Sequence, residues 1–368
     1  MSVFKTTCAN LLGPLQAVTG IVEKRHTLPI LSNVLIEIHG MQVSCIATDL
    51  EVEIRTNMAM GATPDWAMTA SARKLQDILR SLPSDSEISL DEKDGRVTLK
   101  TGRSRFNLQT LPATDFPRLR PSDNVVARVE LSQRELKRVL ELARFAMAVQ
   151  DIRYYLNGLL ISIDGTRLVV VATDGHRLSY AETALATDLE KLEIILPRKT
   201  VNEIMKLLSP ESDNPVAIEV RDNLVTFRFN DVEIISKLID GKFPDYGRVI
   251  PTQYTRRFPI SASLLQQALQ RAAILSNEKL RGVQMEIRPD QLTLVCVNTE
   301  QEEAREELAI SYASEALDVG FNIAYLLDVL AHIDGDEIEL AFGDAHSSAL
   351  ITIPGRDDFK YVVMPMRI

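Results

Sequence analysis

A chain of 368 residues, 45% hydrophobic and 25% charged, has the balance of ordinary globular domains and the length for two or three of them. Its formal charge of −10 argues against a general nucleic-acid coat, and no run approaches the ~18 apolar residues needed to span a bilayer. Residues 1–7 open no signal peptide, and the scattered Cys8, Cys45 and Cys296 read as buried reduced thiols, so a cytoplasmic protein without a zinc site is expected.

In chain order, segment 8–22 carries apolar residues at i, i+4 and i+7 (Leu11, Leu15, Val18) and predicts an amphipathic helix. Alternation in Val34, Ile36, Ile38 and in Val43, Cys45, Ala47 predicts two strands, followed by a polar step, Thr48-Asp49. Leu75, Ile78, Leu79 and Leu82 predict a second helix within 71–82, and Asp94-Gly95 marks a turn. The same landmarks return about 125 residues later. Leu136, Leu140 and Ala143 mark a helix in 132–148. Strands follow at Leu159, Ile161, Ile163 and at Leu168, Val170, Ala172, separated by Asp164-Gly165 and closed by Thr173-Asp174. Val201, Ile204, Met205 and Leu208 mark a helix in 197–208.

A third set has Leu265, Leu269, Ala272 in a helix at 262–281, then strands at Val283, Met285, Ile287 and at Leu292, Leu294, Cys296 around Pro289-Asp290. It closes with the weaker step Val297-Asn298 and a helix at 322–333 carrying Leu326, Val329, Leu330 and Ile333. A period this long is a repeated domain, because ~100–150 residues can close a core of their own. Each copy is expected to be α+β, two helices on one side of antiparallel sheet, with boundaries at the polar stretches 121–124 and 250–253.

Charge is uneven. Across the six helical segments there are 13 Lys/Arg against 6 Asp/Glu, with Arg73, Lys74, Arg80, Arg134, Lys137, Arg138, Arg198, Lys199 and Lys206 supplying most of the excess. Two readings stand: ordinary solvated helix faces, or equivalent helices lining one surface whose field meets phosphates.

Several strings carry a resemblance: 27–33 (TLPILSN), 153–158 (RYYLNG), 172–178 (ATDGHRL), 241–246 (GKFPDY), 271–279 (RAAILSNEK) and 361–368 (YVVMPMRI). In them, and from end to end, the chain resembles the bacterial DNA sliding clamps, the beta subunits of DNA polymerase III. The resemblance implies three clamp domains, 1–124, 125–252 and 253–368, and a head-to-tail homodimer closed into a ring. Twelve helices spaced about 8–10 Å apart make a circle ~35 Å across, wide enough for hydrated duplex. It implies sequence-independent binding of double-stranded DNA, recruitment of the DNA polymerase III catalytic subunit, the clamp-loader complex, and other polymerases and repair proteins carrying a clamp-binding motif. No cofactor, metal or catalytic residue is implied.

The resemblance also places sites. DNA contacts fall on Arg25, Arg73, Arg80, Gln150, Tyr154, Arg198 and Lys199. The ring interface sets Phe106 and Leu108 against Ile274 and Leu275, with Lys74, Arg103 and Arg105 facing Glu300, Glu302, Glu303 and Glu306; ordinary sheet core is the alternative for Phe106 and Leu108. A partner-peptide pocket takes Leu156, Thr173, Gly175, His176, Arg177, Leu178, Pro244, Arg248, Val249, Val362, Val363, Met364, Pro365, Met366 and Arg367. His346, Ser347 and Ser348 would continue its wall.

An enzyme reading fares poorly on the residues alone. Asp174, His176 and Ser179 lie too close along one turn to form a triad, and no Gly-x-Ser-x-Gly elbow exists. Gly241-Lys242 lacks the rest of a phosphate loop. A repeat scaffold binding only proteins is the other alternative, and it predicts no basic helix faces.

Overall fold

The computed structural model describes residues 3–23, 28–59 and 64–367. In the first repeat β1 (Val3–Thr7) leads into α1 (Cys8–Thr19). β2 (Asn33–His39), β3 (Gln42–Thr48), β4 (Val52–Ala59) and β5 (Trp66–Ser71) then precede α2 (Ala72–Arg80). β6 (Glu87–Lys93), β7 (Arg96–Thr101) and β8 (Ser104–Gln109) end the repeat. The second runs β9 (Val125–Ser132), α3 (Gln133–Arg144), β10 (Gly158–Thr173), β11 (Arg177–Pro197) and α4 (Arg198–Leu207). It finishes with β12 (Pro215–Arg221), β13 (Leu224–Phe229) and β14 (Val232–Lys237). The third has β15 (Arg256–Ser261), α5 (Ala262–Ala272), β16 (Gly282–Arg288), β17 (Gln291–Val297), β18 (Glu303–Ala309) and β19 (Leu317–Asn322). Then come α6 (Ile323–His332), β20 (Glu337–Phe342), β21 (Ala349–Ile353) and β22 (Arg356–Val363).

All pairings are antiparallel, but no repeat keeps a sheet to itself. Each feeds two, and neighbouring repeats share them. An eight-stranded sheet, β5-β2-β3-β4-β14-β13-β12-β9, joins the first and second repeats through β4 and β14. A six-stranded sheet, β10-β11-β22-β21-β20-β15, joins the second and third through β11 and β22. Two four-stranded sheets remain, β1-β6-β7-β8 and β18-β17-β16-β19. The antiparallel sheet expected of each copy is present, and it is shared with the neighbouring copy. The compact units follow the shared sheets: Met1–Arg134 with Asn202–Leu238, and Glu135–Val201 with Ile239–Ile368.

Within the first unit α1 packs on β3, β4 and α2. Its stripe Leu11, Leu15, Val18 is fully buried with Ile36, Cys45, Ala47 and Ile54, the inward face that the strand alternation predicts. In the second unit α5 packs on α6, β17 and β18, burying Leu265, Leu269 and Ala272. The helices are shorter than the stripes suggested: Leu82, Leu208 and Ile333 fall just past their ends. The helix expected over 262–281 stops at Ala272, and a 3₁₀ turn covers Ala273–Leu275. The apolar stripe runs out there, and Asn277 Oδ1 takes the N–H groups of Lys279 and Leu280 at 3.0 Å each, fixing a loop instead of another helical turn. The strands expected on either side of Asp164-Gly165 form one element, β10, with register shifts flanking Gly165.

The recurring polar step builds the same turn. Thr48 Oγ1 donates to Val52 O at 2.9 Å while Asp49 Oδ1 accepts from Glu51 N and Val52 N. Thr173 Oγ1 donates to Arg177 O at 2.6 Å while Asp174 Oδ1 accepts from His176 N and Arg177 N. In the third repeat only the Asx half survives, Asn298 Oδ1 accepting from Glu300 N and Glu302 N. Gly175 (φ 90°) takes the left-handed position that Leu50 (φ 77°) must also adopt.

Candidate functional site: an apolar groove on the second shared sheet

The turn at 173–177 starts β11, and β11 pairs with the last strand of the chain. Leu178 lies opposite Val362 and Tyr180 opposite Lys360. On the other side of β22, Val362 lies opposite Leu350. With period-2 alternation, Val169, Val171, Leu178, Tyr180, Val362 and Leu350 share the sheet face away from the helices. That face gathers a cluster with Leu156, Leu160, Ile195 and Phe243, against which Tyr155, Ile239, Tyr246 and Ile250 pack partly buried. The cluster side chains are themselves buried, at most 6% exposed, so an apolar guest would meet this face at its partly exposed margin. Met364 (49% exposed) and Val249 (44%) stand beside it. Met364 N donates to His176 O at 2.9 Å and Met366 N to Gly320 O at 2.8 Å, so the chain end is hydrogen-bonded in place.

Of the expected pocket residues, Leu156, Leu178 and Val362 belong to this cluster. Thr173 and Gly175 shape the turn, and His176, Pro244, Arg248 and Arg367 are exposed. Pro365 and Met366 are half-buried, and Arg248 pairs with Asp245 at 3.0 Å. His346 is exposed, its N–H taken by Asp344, which also accepts from Ser347 Oγ; Ser348 is half-buried.

Arg177 and Val363 lie on the other face of the sheet. They lie opposite each other, one residue out of phase with Leu178 and Val362, and so point to the helix side. There Arg177 is 9% exposed and pairs with Asp174 (3.1 Å) and Asp328 (2.6 Å). It also donates to Phe145 O (2.9 Å) and lies 4.4 Å from the Tyr325 ring centroid. Its partners hold the guanidinium charged, well above its ordinary range, despite the opposing pull of burial. Arg177 ties β11 to the helix side of this sheet. Tyr155, Tyr180, Phe243, Tyr246 and Leu350 were missed. Tyr180 and Leu350 were findable by the alternation that singled out Leu178 and Val362; the others needed the fold.

The equivalent face of the first join is built differently. The position matching Leu178 is Glu53, 1% exposed, held by Arg118 at 3.2 Å and by Leu119 N at 2.9 Å. Burial pushes its carboxyl up, against the pull of Arg118. Arg118 also reaches Glu37 at 3.2 Å, and a smaller apolar cluster of Leu35, Ile46 and Phe116, with Ile30 and Ala113 packed against it, lies there. An ionic closure occupies one join where the other has an apolar floor.

Arg25 lies outside the described residues. Arg73 and Arg80 are exposed on α2, with Arg73 donating to Val22 O at 2.8 Å. Gln150 (φ 55°) and Tyr154 (58% exposed) sit on the exposed loop after α3, Lys199 is half-buried, and Arg198 is drawn inward to Met147 O at 2.9 Å. Burial, with Arg144 and Arg177 nearby, lowers the Arg198 pKa. Part of the basic charge is matched: Arg134, Arg138, Arg144, Lys206 and Arg271 pair with Asp213, Glu135, Glu141, Glu203 and Glu306.

Ile274 is 77% exposed, Leu275, Phe106 and Leu108 are half-buried, and Lys74, Arg103 and Arg105 are exposed. The acidic run is split. Glu300, Glu302 and Glu303 are exposed, but Glu306 turns to the helix side and pairs with Arg271 at 2.5 Å. Arg305 on the opposite face pairs with Glu286 at 3.0 Å.

Comparison with known proteins gives a consistent result. Residues 3–120, 130–245 and 247–367 match the family models for the N-terminal, central and C-terminal domains of the DNA polymerase III beta subunit. The chain is 43% identical over 361 residues to the beta sliding clamp of Pseudomonas putida, covering 97% of this chain and 98% of that one. It is 42% identical over 362 residues to that of Escherichia coli K12, covering 98% of each. The crystal structure of the DNA polymerase III subunit beta from Pseudomonas aeruginosa superposes with a TM-score of 0.96 at 41% identity over all of both chains. A structure of that clamp bound to griselimycin gives the same values.

Proposed function

The chain belongs to the DNA polymerase III beta subunit family, and from that premise we infer that it is a sliding clamp, a non-catalytic ring that encircles duplex DNA and tethers the replicative polymerase for processive synthesis. One observation carries the ring. The fourth strand of the first repeat (β4) pairs with the last of the second (β14), and the fourth-strand part of the second (the start of β11) pairs with the last of the third (β22). The fourth strand of the third, β18, and the last of the first, β8, are left as sheet edges. A second copy satisfies both edges by the same rule, and a heterologous contact that closes after two subunits is a ring.

The register carries over as well. Ile54 opposite Ile234 and Ser179 opposite Tyr361 correspond to Ala304 opposite Phe106. This sets Phe106 beside Ile274 and Leu275 and brings Glu307 to Arg103, a revised partner for that cation. Domains of 1–124, 125–252 and 253–368 fit this arrangement. Arg25, Arg73, Arg80, Gln150, Tyr154, Arg198 and Lys199 make non-specific phosphate contacts that permit sliding. The groove around Leu178 and Val362 docks apolar peptide motifs of the polymerase catalytic subunit, the clamp loader and repair proteins. Among the described residues no helix is long and apolar enough to cross a membrane, and replication places the protein in the cytoplasm.

Light scattering should give the mass of a dimer. The protein should stay on nicked circular duplex after loading and leave when the circle is linearised. A monomeric mass, or equal retention on both substrates, would sink the topological reading.

A further inference from the structure

The apolar groove covers only part of its sheet face. One cross-strand row continues without a break from Leu178 through Val362, Leu350 and Ala341 to Arg257 on β15, the far edge. Beyond Leu350 this row floors a separate cleft of about 770 Å³, lined also by Tyr254, Thr352, Glu339 and Lys360. Leu350 belongs to both, packing against the groove's cluster and lining the cleft.

Two cations stand at this cleft without an ion-paired carboxylate, although the charge of Lys360 acts on Glu182. Arg257 is exposed and Lys360 half-buried, and neither has a carboxylate within ion-pair distance among the described residues. Lys360 Nζ lies 5.1 Å from the Tyr180 ring centroid, which fixes its position beside the groove. The hydroxyl of Tyr254 is buried and has no hydrogen-bond partner. Arg356, the third cation of the lining, is spent on Asp334 and Asp358. Glu339 and Asp357 also line the cleft, and Glu339 lies one row further along the sheet, on the same side of the Leu350 row as Lys360, so an acidic guest has to reach Lys360 from the Leu350 side.

We propose that this cleft is an accessory subsite that takes an acidic segment flanking the apolar motif of a partner peptide, its carboxylates landing on Lys360 and Arg257. The proposal rests on the reading of the apolar groove as a peptide site. The spacing suits it. Lys360 is two residues along β22 from Val362, about 7 Å, and Arg257 is three strand spacings away, about 14 Å. An extended peptide covers these spans in about two and four residues. Charge at the rim then selects among partners that share the same apolar anchor.

The test uses a fluorescein-labelled peptide bearing two leucines and a phenylalanine, unextended or extended at either end by four aspartates, four serines or four lysines. Polarisation with the full-length protein should show one aspartate-extended peptide binding about 5–10-fold tighter than its serine counterpart, an advantage lost at high salt. In Arg257→Gln/Lys360→Met the advantage should vanish while the unextended peptide binds as before. Failure of the unextended peptide to bind wild type would reject the groove itself, and the subsite with it. Equal binding of the aspartate and serine series, or tighter binding of the lysine series through Glu339, would overturn the subsite alone.

Discussion

Ile274 is the sharpest test of the ring because its side chain has nothing to do in a single copy. It is 77% exposed, so Ile274→Ala opens no cavity in the protomer and should leave folding stability within about 0.5 kcal/mol. At the proposed interface it would be buried beside Phe106 of a second copy. Full burial of such a side chain is worth about 1.5–3 kcal/mol, so burying the exposed part contributes about 1–2 kcal/mol per contact. A two-subunit head-to-tail ring makes the contact twice, so the loss is about 2–4 kcal/mol. That raises the dimer Kd about 30- to 1,000-fold. Sedimentation over a dilution series reads the Kd, and urea unfolding of the monomer is the control. A Kd within threefold of wild type would refute the placement of Ile274, whatever the ring's other contacts.

Arg177→Met should cost about 3–5 kcal/mol in urea unfolding, because it strands Asp174, Asp328 and the Phe145 carbonyl; a loss under 1 kcal/mol would mean these charges are well solvated. Met364→Ala should weaken an apolar peptide by about 1–3 kcal/mol with the melting temperature unchanged, and an unaltered affinity would remove Met364 from the groove. Arg228 and Arg221 hold Glu219 at about 2, below its ordinary 4.5. A depressed carboxylate stabilises the fold above about pH 4.5 and loses that contribution as pH falls towards 2. After allowance for solvent screening, Glu219→Gln should cost about 1–2 kcal/mol at pH 7 and progressively less below pH 4.5, and a pH-independent difference would contradict the assignment.

Periodicity, by itself, determined which residues of each segment share a face. Leu11, Leu15 and Val18 and their counterparts are buried as the 3.6-residue spacing requires, and the polar step returns as the same turn because Thr and Asp side chains bond to backbone within four residues. These are local interactions, and local pattern is what a sequence displays. It also exposed the threefold repeat and the strings that carry the family resemblance. What it could not display was the partner of each strand. One pattern of alternation is compatible with a sheet closed within a repeat or shared with the next, and the tertiary structure chose sharing.

That choice sets the phase of β11 against β22. It sends Leu178 and Val362 to the groove and their neighbours Arg177 and Val363 to the helix side, although all four belong to strings that resemble the family's pocket. Charge was legible only where partners stand three residues apart on one helix, as in Arg144–Glu141 and Lys206–Glu203. The helices' cations count as a basic excess in sequence, yet Arg138 finds Asp358 220 residues away and Arg271 finds Glu306 across a fold in the chain. An ion pair depends on distance in space, and only the packed structure supplies that distance.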